Sequence, residues 1–154
     1  YLQVIETFGE DVVGDDQQID RRALGGKVFG KPEQLTKLTD IVWPEIRRLA
    51  ELEIADCAAI NPDGVVVLEA AVLFEAGWED IGEEVWVLVV DREIAIVRSM
   101  ARDNAERAAV ESRLDAQLSN DERISRATSV IYNNGDQSSM IEQLEAEWRR
   151  ISGA

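Results

Sequence analysis

Val65-Val-Val-Leu-Glu-Ala-Ala-Val-Leu-Phe-Glu75-Ala-Gly-Trp78 is the stretch on which the fold turns. Its short, uninterrupted apolar run predicts a strand buried on both faces, as in a parallel α/β sheet. Glu69 and Glu75 follow that run, at the carboxyl end where open α/β sheets place their ligands. A glutamate there suits a metal-bound phosphate or a substrate hydroxyl. Acidic residues also sit at helix starts, where the helix dipole favours negative charge, and the pattern leaves both readings open.

Outward from this stretch, strands and helices alternate. Asn61-Pro62-Asp63-Gly64 is a turn that launches the strand at Val65. Upstream, Leu2 to Phe8 reads as a helix stopped by Gly9, and Glu10 to Gln18 as an acidic loop. Asp20 to Phe29 reads as a short helix. Lys31-Pro32-Glu33 opens a long one, with Leu35, Leu38, Val42, Ile46 and Leu49 at helical spacing. Pro44 should kink or split it, because proline removes a backbone donor and crowds the preceding turn. Downstream, Val85–Val90 is a second apolar strand, Glu93 to Arg102 a helix, and Asn104 to Leu118 a mostly polar helix. Ser129–Tyr132 is a third strand, and Met140, Ile141, Leu144, Trp148 and Ile151 mark a last helix. The order implies an α/β protein with a parallel sheet. Trp86 and Trp148 are expected as core or core-edge anchors, and Trp43 and Trp78 as partly exposed.

Charge and composition exclude several classes. The 154 residues carry a formal net charge of −15, which argues against nucleic acid as a partner, since polyanion binding needs a basic surface. A small phosphorylated ligand needs only a few local cations. Thirteen of the sixteen cations are arginine, whose planar fork suits bidentate phosphate recognition; for any single one, a solvated helix face is the alternative. No histidine is present, which removes imidazole bases and the triads built on them. The lone Cys57 cannot pair within the chain and points to a reducing, intracellular compartment; on its apolar helical stretch it is expected as a buried structural thiol. No run approaches membrane length.

Several pieces in one order carry a resemblance. They are Val4-Ile5-Glu6-Thr7-Phe8-Gly9, Ile19-Asp20-Arg21-Arg22-Ala23-Leu24-Gly25, Leu38-Thr39-Asp40-Ile41-Val42-Trp43-Pro44-Glu45-Ile46 and the Val65–Trp78 stretch. Glu84-Val85-Trp86-Val87, Arg98 to Arg102-Asp103, Ser112-Arg113 with Gln117, and Val130-Ile131-Tyr132-Asn133-Asn134-Gly135 follow. Over nearly the whole chain they resemble the dephospho-coenzyme A kinase family, and more narrowly the kinase domain of animal-type bifunctional coenzyme A synthase. The resemblance implies a P-loop kinase-like parallel sheet with flanking helices. It divides one partial domain into a mostly helical substrate-binding region (1–62), an α/β core (65–103 and 128–154) and a lid (104–127). ATP and dephospho-coenzyme A would be the substrates, with Mg accompanying ATP, in the cytoplasm or mitochondrion. An adenylyltransferase domain in the same polypeptide is a further possible partner.

The residue roles implied are also the family's. Arg98 and Arg102 match paired arginines that neutralise the transferring phosphoryl group, and Arg113 with Gln117 the second lid helix. Asn133, Asn134 and Gly135 match the loop near the adenine. Glu69 stands where the family usually has Asp, and Trp43-Pro44 where it commonly has His-Pro. The first strand and its Gly-x-x-x-x-Gly-Lys-Ser/Thr phosphate loop are absent between Tyr1 and Ala154. Gly25 to Lys31 fits the loop's spacing, but Pro32 replaces the magnesium-binding hydroxyl and no strand precedes it, so it reads as a decoy. Two functions follow: a dephospho-coenzyme A kinase that is inactive as this chain alone, or a kinase-derived module that binds coenzyme A or a protein without catalysis.

Overall fold

The computed structural model describes residues 1–115 and 117–153. It divides into two compact units, Tyr1–Ala70 and Ala71–Ala154.

The first unit is helical. Helix α1 (Leu2–Phe8) ends at Gly9, whose φ of 94° favours glycine. A 3-10 turn (Glu10–Val12) leads to α2 (Arg21–Val28), capped by Asp20, whose carboxylate accepts from the N–H groups of Arg22 and Ala23. Val4, Phe8, Val12 and Val28 form its core. Helix α3 (Pro32–Ile60) covers that core with Leu38, Ile41 and Val42, an i, i+3, i+4 stripe. Pro44 does not split α3, which runs as one helix of 29 residues. Beyond Pro44 the stripe is exposed at Ile46, Leu49 and Leu52, and Cys57 is exposed too, contrary to its expected burial.

The Gly25–Pro32 stretch is no phosphate loop. Gly25 and Gly26 lie inside α2, and Lys27 Nζ donates to Phe8 O and Asp11 Oδ1 at 2.5 and 2.6 Å. The expected strand Val65–Leu68 is also corrected. Extended backbone becomes a strand only through a ladder partner, and this segment has none among the described residues. Its side chains are not buried either, with Val67 81% exposed.

The second unit holds the sheet. Strands β1 (Trp86–Val89) and β2 (Ser129–Tyr132) are parallel, with Trp86 opposite Ser129 and Val89 opposite Tyr132. They are the two strands found among the described residues, where the sequence predicts three. Helices α4 (Arg92–Asp103), α5 (Arg107–Asp115) and α6 (Asn120–Arg126) make the crossover between them, and α7 (Gln137–Ser152) follows β2. The polar helix predicted over Asn104–Leu118 is the shorter α5; Ala116 lies outside the described residues.

Val87 and Val89 are buried with Phe74, and Val85, Leu118, Ile124 and Val130 pack around them. Ile96 of α4, Val110 of α5 and Ile131 of β2 are also fully enclosed. Gln143 of α7 substitutes for a strand neighbour, accepting from Tyr132 N and donating to Tyr132 O at 2.9 Å each. Trp78 is 6% exposed and belongs to the core, whereas Trp148 is 45% exposed: the reverse of what the sequence suggests. A glycine neighbour marks where the chain turns, not which way an indole faces.

No described helix is long and apolar enough to cross a membrane.

Candidate functional site

The site is built at the carboxyl ends of β1 and β2. Because the strands are parallel and in register, Val90-Asp91 and Asn133-Asn134 leave the sheet side by side, and Asn133 N prolongs the ladder to Val89 O at 2.7 Å. Asn134 Oδ1 accepts from Asp91 N at 2.7 Å, tying the two exits together. Asn120, the first residue of α6, donates from Nδ2 to Val90 O at 2.9 Å. Its helix start is set by a capping box in which Ser119 and Glu122 satisfy each other's backbone donors.

Helix α4 leaves this end carrying both expected arginines. Arg98 reaches the loop after β2: Nη1 donates to Asn133 O at 2.6 Å and Asn133 Oδ1 at 3.1 Å, and Nη2 to Gly135 O at 3.1 Å. Three of the residues expected in the site, Arg98, Asn133 and Gly135, are thus hydrogen-bonded together, and Asn134 between them in the chain is bonded to Asp91. Arg102, one turn further, points to a different partner. Its Nε and Nη2 fork onto Asp103 at 2.7 and 3.1 Å, and Arg113 Nη1 of α5 reaches Asp103 Oδ2 at 3.2 Å. Hydrogen bonds from Arg102, and then from Arg113, hold the Asp103 carboxyl down at about 2.

Two more ion pairs join α4 to α5: Arg92–Asp115 at 2.7 Å, and Glu93–Arg107 at 2.6 Å, with Arg107 also on Glu111 at 2.8 Å. The hydrogen bond from Arg107 lowers the Glu93 carboxyl below its ordinary range. Arg102 and Arg113 keep 74% and 56% of their side chains exposed, so their pairing with Asp103 leaves them within reach of a polyanion.

Gln117 follows α5 and is exposed; its backbone N–H donates to Leu114 O. Glu69 is an exposed carboxylate of the first unit, and no ion pair ties it among the described residues. Asp103, Asn120 and Asp91 are hydrogen-bonded neighbours of this region that the sequence did not single out. Asp103 stood beside Arg102 in the quoted motif; Asn120 left no signal, because only the fold brings it to Val90.

A parallel α/β unit with arginines and an Asn-Asn-Gly turn at its strand ends is the arrangement of a nucleotide-dependent phosphotransferase. The dephospho-CoA kinase family profile matches residues 1–139. The dephospho-CoA kinase of Geobacter sulfurreducens is 40% identical over 150 residues, covering 97% of this chain and 76% of that protein. That of Moorella thermoacetica is 36% identical, over 98% and 71%. Among solved structures, one from Thermus thermophilus superimposes with a TM-score of 0.72 at 33% identity, covering 97% of this chain and 75% of that one. The dephospho-CoA kinase from Campylobacter jejuni gives 0.67 at 26%, covering 99% and 76%. The chain belongs to the dephospho-coenzyme A kinase family. The relatives named as dephospho-CoA kinases are bacterial; they lend no support to the narrower likeness to animal-type coenzyme A synthase, to a fused adenylyltransferase, or to inactivity of this chain.

Proposed function

We propose that the chain transfers the γ-phosphoryl of ATP to the 3′-hydroxyl of dephospho-coenzyme A, the last step of coenzyme A formation. The observation that carries this reading is the pair Arg102 and Arg113, drawn together by one carboxylate, Asp103, at the end of α4. Phosphoryl transfer is mainly positioning plus neutralisation of charge on the phosphoryl oxygens. A phosphate group offers the same oxygen spacing that Asp103 offers to the Arg102 fork, with more negative charge. Arg102 and Arg113 therefore exchange the carboxylate for the polyphosphate, while Gln117 closes the lid side. Asn133, Asn134 and Gly135 take the adenine.

Magnesium in such reactions rests largely on phosphate oxygens and water and asks one or two carboxylates of the protein. The described residues offer no cluster of three or more metal-binding side chains, and the exposed Glu69 fits the smaller demand. Bound with ATP, the ion would neutralise phosphate charge. Glu69 would be the carboxylate for that demand or for the substrate hydroxyl. Of the two compartments considered, the bacterial relatives favour the cytoplasm.

The test is ADP release coupled to dephospho-coenzyme A, for the chain as it stands and for the chain joined to an upstream strand bearing Gly-x-x-x-x-Gly-Lys-Ser/Thr. Acceptor-dependent turnover in either form is expected. Its absence in both would leave the non-catalytic module as the better reading.

A further inference from the structure

We infer that Gln143 of α7 is a positioning residue for the transfer reaction: its amide clamps the end of β2 and so fixes where the Asn133–Gly135 turn stands. The inference rests on the kinase reading, which gives that turn to ATP. Asn133 N–H bonds across to Val89 O, so the backbone groups of Tyr132, one residue earlier, point away from β1 to the outer edge of the sheet. Gln143 meets both of them. Its Oε1 accepts from Tyr132 N and its Nε2 donates to Tyr132 O, each at 2.9 Å. Nε2 also donates to Ser139 O at 3.1 Å, so the amide oxygen and both amide protons are in use.

The clamp closes a short ring of chain. Tyr132 is the last residue of β2, and α7 begins at Gln137 behind Asp136, whose carboxylate accepts from Ser139 N at 2.9 Å. The turn lies between, so tying strand to helix fixes both of its ends. Among the described residues, the holds on the turn itself come from β1 and from the chain that follows it. They are Val89 O on Asn133, Asp91 N on Asn134, and Arg98 on Asn133 and Gly135. Gln143 supplies the hold from α7. Its chemistry is specific: glutamate is as long and accepts from Tyr132 N, but it sets a carboxylate against Tyr132 O where a donor belongs. Methionine fills the same space and makes neither bond. Backbone groups left unpaired at the end of an edge strand free that end to open locally.

The test compares the full chain with its Gln143→Met and Gln143→Glu variants by NMR amide exchange and by ATP titration, with and without the upstream strand described above. Both variants should speed exchange at Tyr132 and Asn133 by about tenfold, the scale of one or two hydrogen bonds. Val87 and Ile131, at the middle of the sheet, should stay within about twofold. ATP should bind about tenfold more weakly to both variants. In the form that turns over, the KM for ATP should rise by the same factor. There kcat and the KM for dephospho-coenzyme A should stay within about twofold, a split that a general loss of stability does not produce. Equal effects of Met and Glu show that the donor to Tyr132 O is required, not the length of the side chain. Wild-type ATP affinity in both variants overturns the inference, whatever the exchange rates. Exchange that quickens alike across β1 and β2 overturns it too, since Gln143 would then only stabilise the sheet. If the wild type binds no ATP in either form, the kinase reading of the turn fails first and the inference falls with it.

Discussion

Replacing Ile96 by alanine tests whether the helix bearing both arginines is held by packing or by its polar contacts. Ile96 is 0% exposed and is the one fully buried residue of α4, two positions before Arg98. Truncation to alanine removes three carbons. At roughly 0.8 kcal/mol per buried methylene that is about 2.4 kcal/mol, and the cavity left behind adds to it. Alanine's better helix propensity returns about 0.4 kcal/mol. A loss of about 2–4 kcal/mol is expected for the second unit, against about 0.5–1.5 kcal/mol for Ile96→Val. Because the chain contains two compact units, one optical transition would mix them. Native-state amide exchange of β1 and β2 reads the second unit directly, since its most protected amides report global opening. Arg98→Ala, which removes an exposed side chain, should leave the same amides within about 0.5 kcal/mol of wild type. A loss below about 1 kcal/mol for Ile96→Ala, or an equal loss for Arg98→Ala, would refute the division between packing anchor and positioning contact.

Two further outcomes follow from particular contacts. Arg102→Ala should lower turnover on the order of 10²-fold, the scale seen when one donor to a developing anion is removed; coupled ADP release checks it. Glu84 accepts from Arg150 at 2.7 and 2.5 Å and from Trp86 Nε1 at 2.8 Å. Those bonds hold its carboxyl down at about 2, against an ordinary 4.5. A depressed carboxylate stabilises the fold fully above its unfolded value and loses that contribution as pH falls through the folded one. The difference in thermal midpoint between wild type and Glu84→Gln should therefore be greatest above about pH 5 and close toward pH 2. A gap that does not vary with pH would contradict the role given to Arg150.

The parts of the fold legible in the sequence are those where local pattern and packing coincide. Val85–Val90 and Ser129–Tyr132 are apolar, β-branched and bounded by turns, and both form the strands expected, β1 shorter by a residue at each end. Asp20 announces α2 because its side chain does the capping. Val65–Leu68 has the same pattern without a ladder neighbour among the described residues, and periodicity carries no information about neighbours. The α3 stripe is correct as a stripe, yet at 1.5 Å per residue the helix is roughly 44 Å long and overruns a core of four buried residues. Cys57, Ile46 and Leu49 are on the exposed part beyond that core. At the site, spacing put Arg98 and Arg102 on one helix face, and the family resemblance implied one role for both. The coordinates separate them, because Arg98 meets backbone carbonyls across 35 residues of chain while Arg102 meets its own neighbour.

The lid expected over Asn104–Leu118 rests on weaker ground than its polarity suggests. A closing element should be the less protected one, and the sequence points to low burial there. Yet α5 encloses Val110 at 2% exposure, while α7 buries no residue fully. Away from the Arg150–Glu84 pair at the end of α7, what distinguishes the helices is the kind of contact. Three ion pairs join α5 to α4, through Arg92–Asp115, Glu93–Arg107 and Asp103–Arg113, all with exposed partners. At mid-length α7 is held by the uncharged fork between Gln143 and Tyr132. Exposed ion pairs weaken as the screening length falls from about 10 Å at 0.1 M to about 3 Å at 1 M salt; an amide fork does not. Raising salt from 0.05 to 0.5 M should therefore speed amide exchange in Arg107–Asp115 several-fold and leave the amides around Gln143 nearly unchanged. Equal salt responses would mean that Val110 holds α5 in place and the ion pairs only decorate it. A salt-selective response would identify α5 as the element free to trade its carboxylate partners for a polyphosphate.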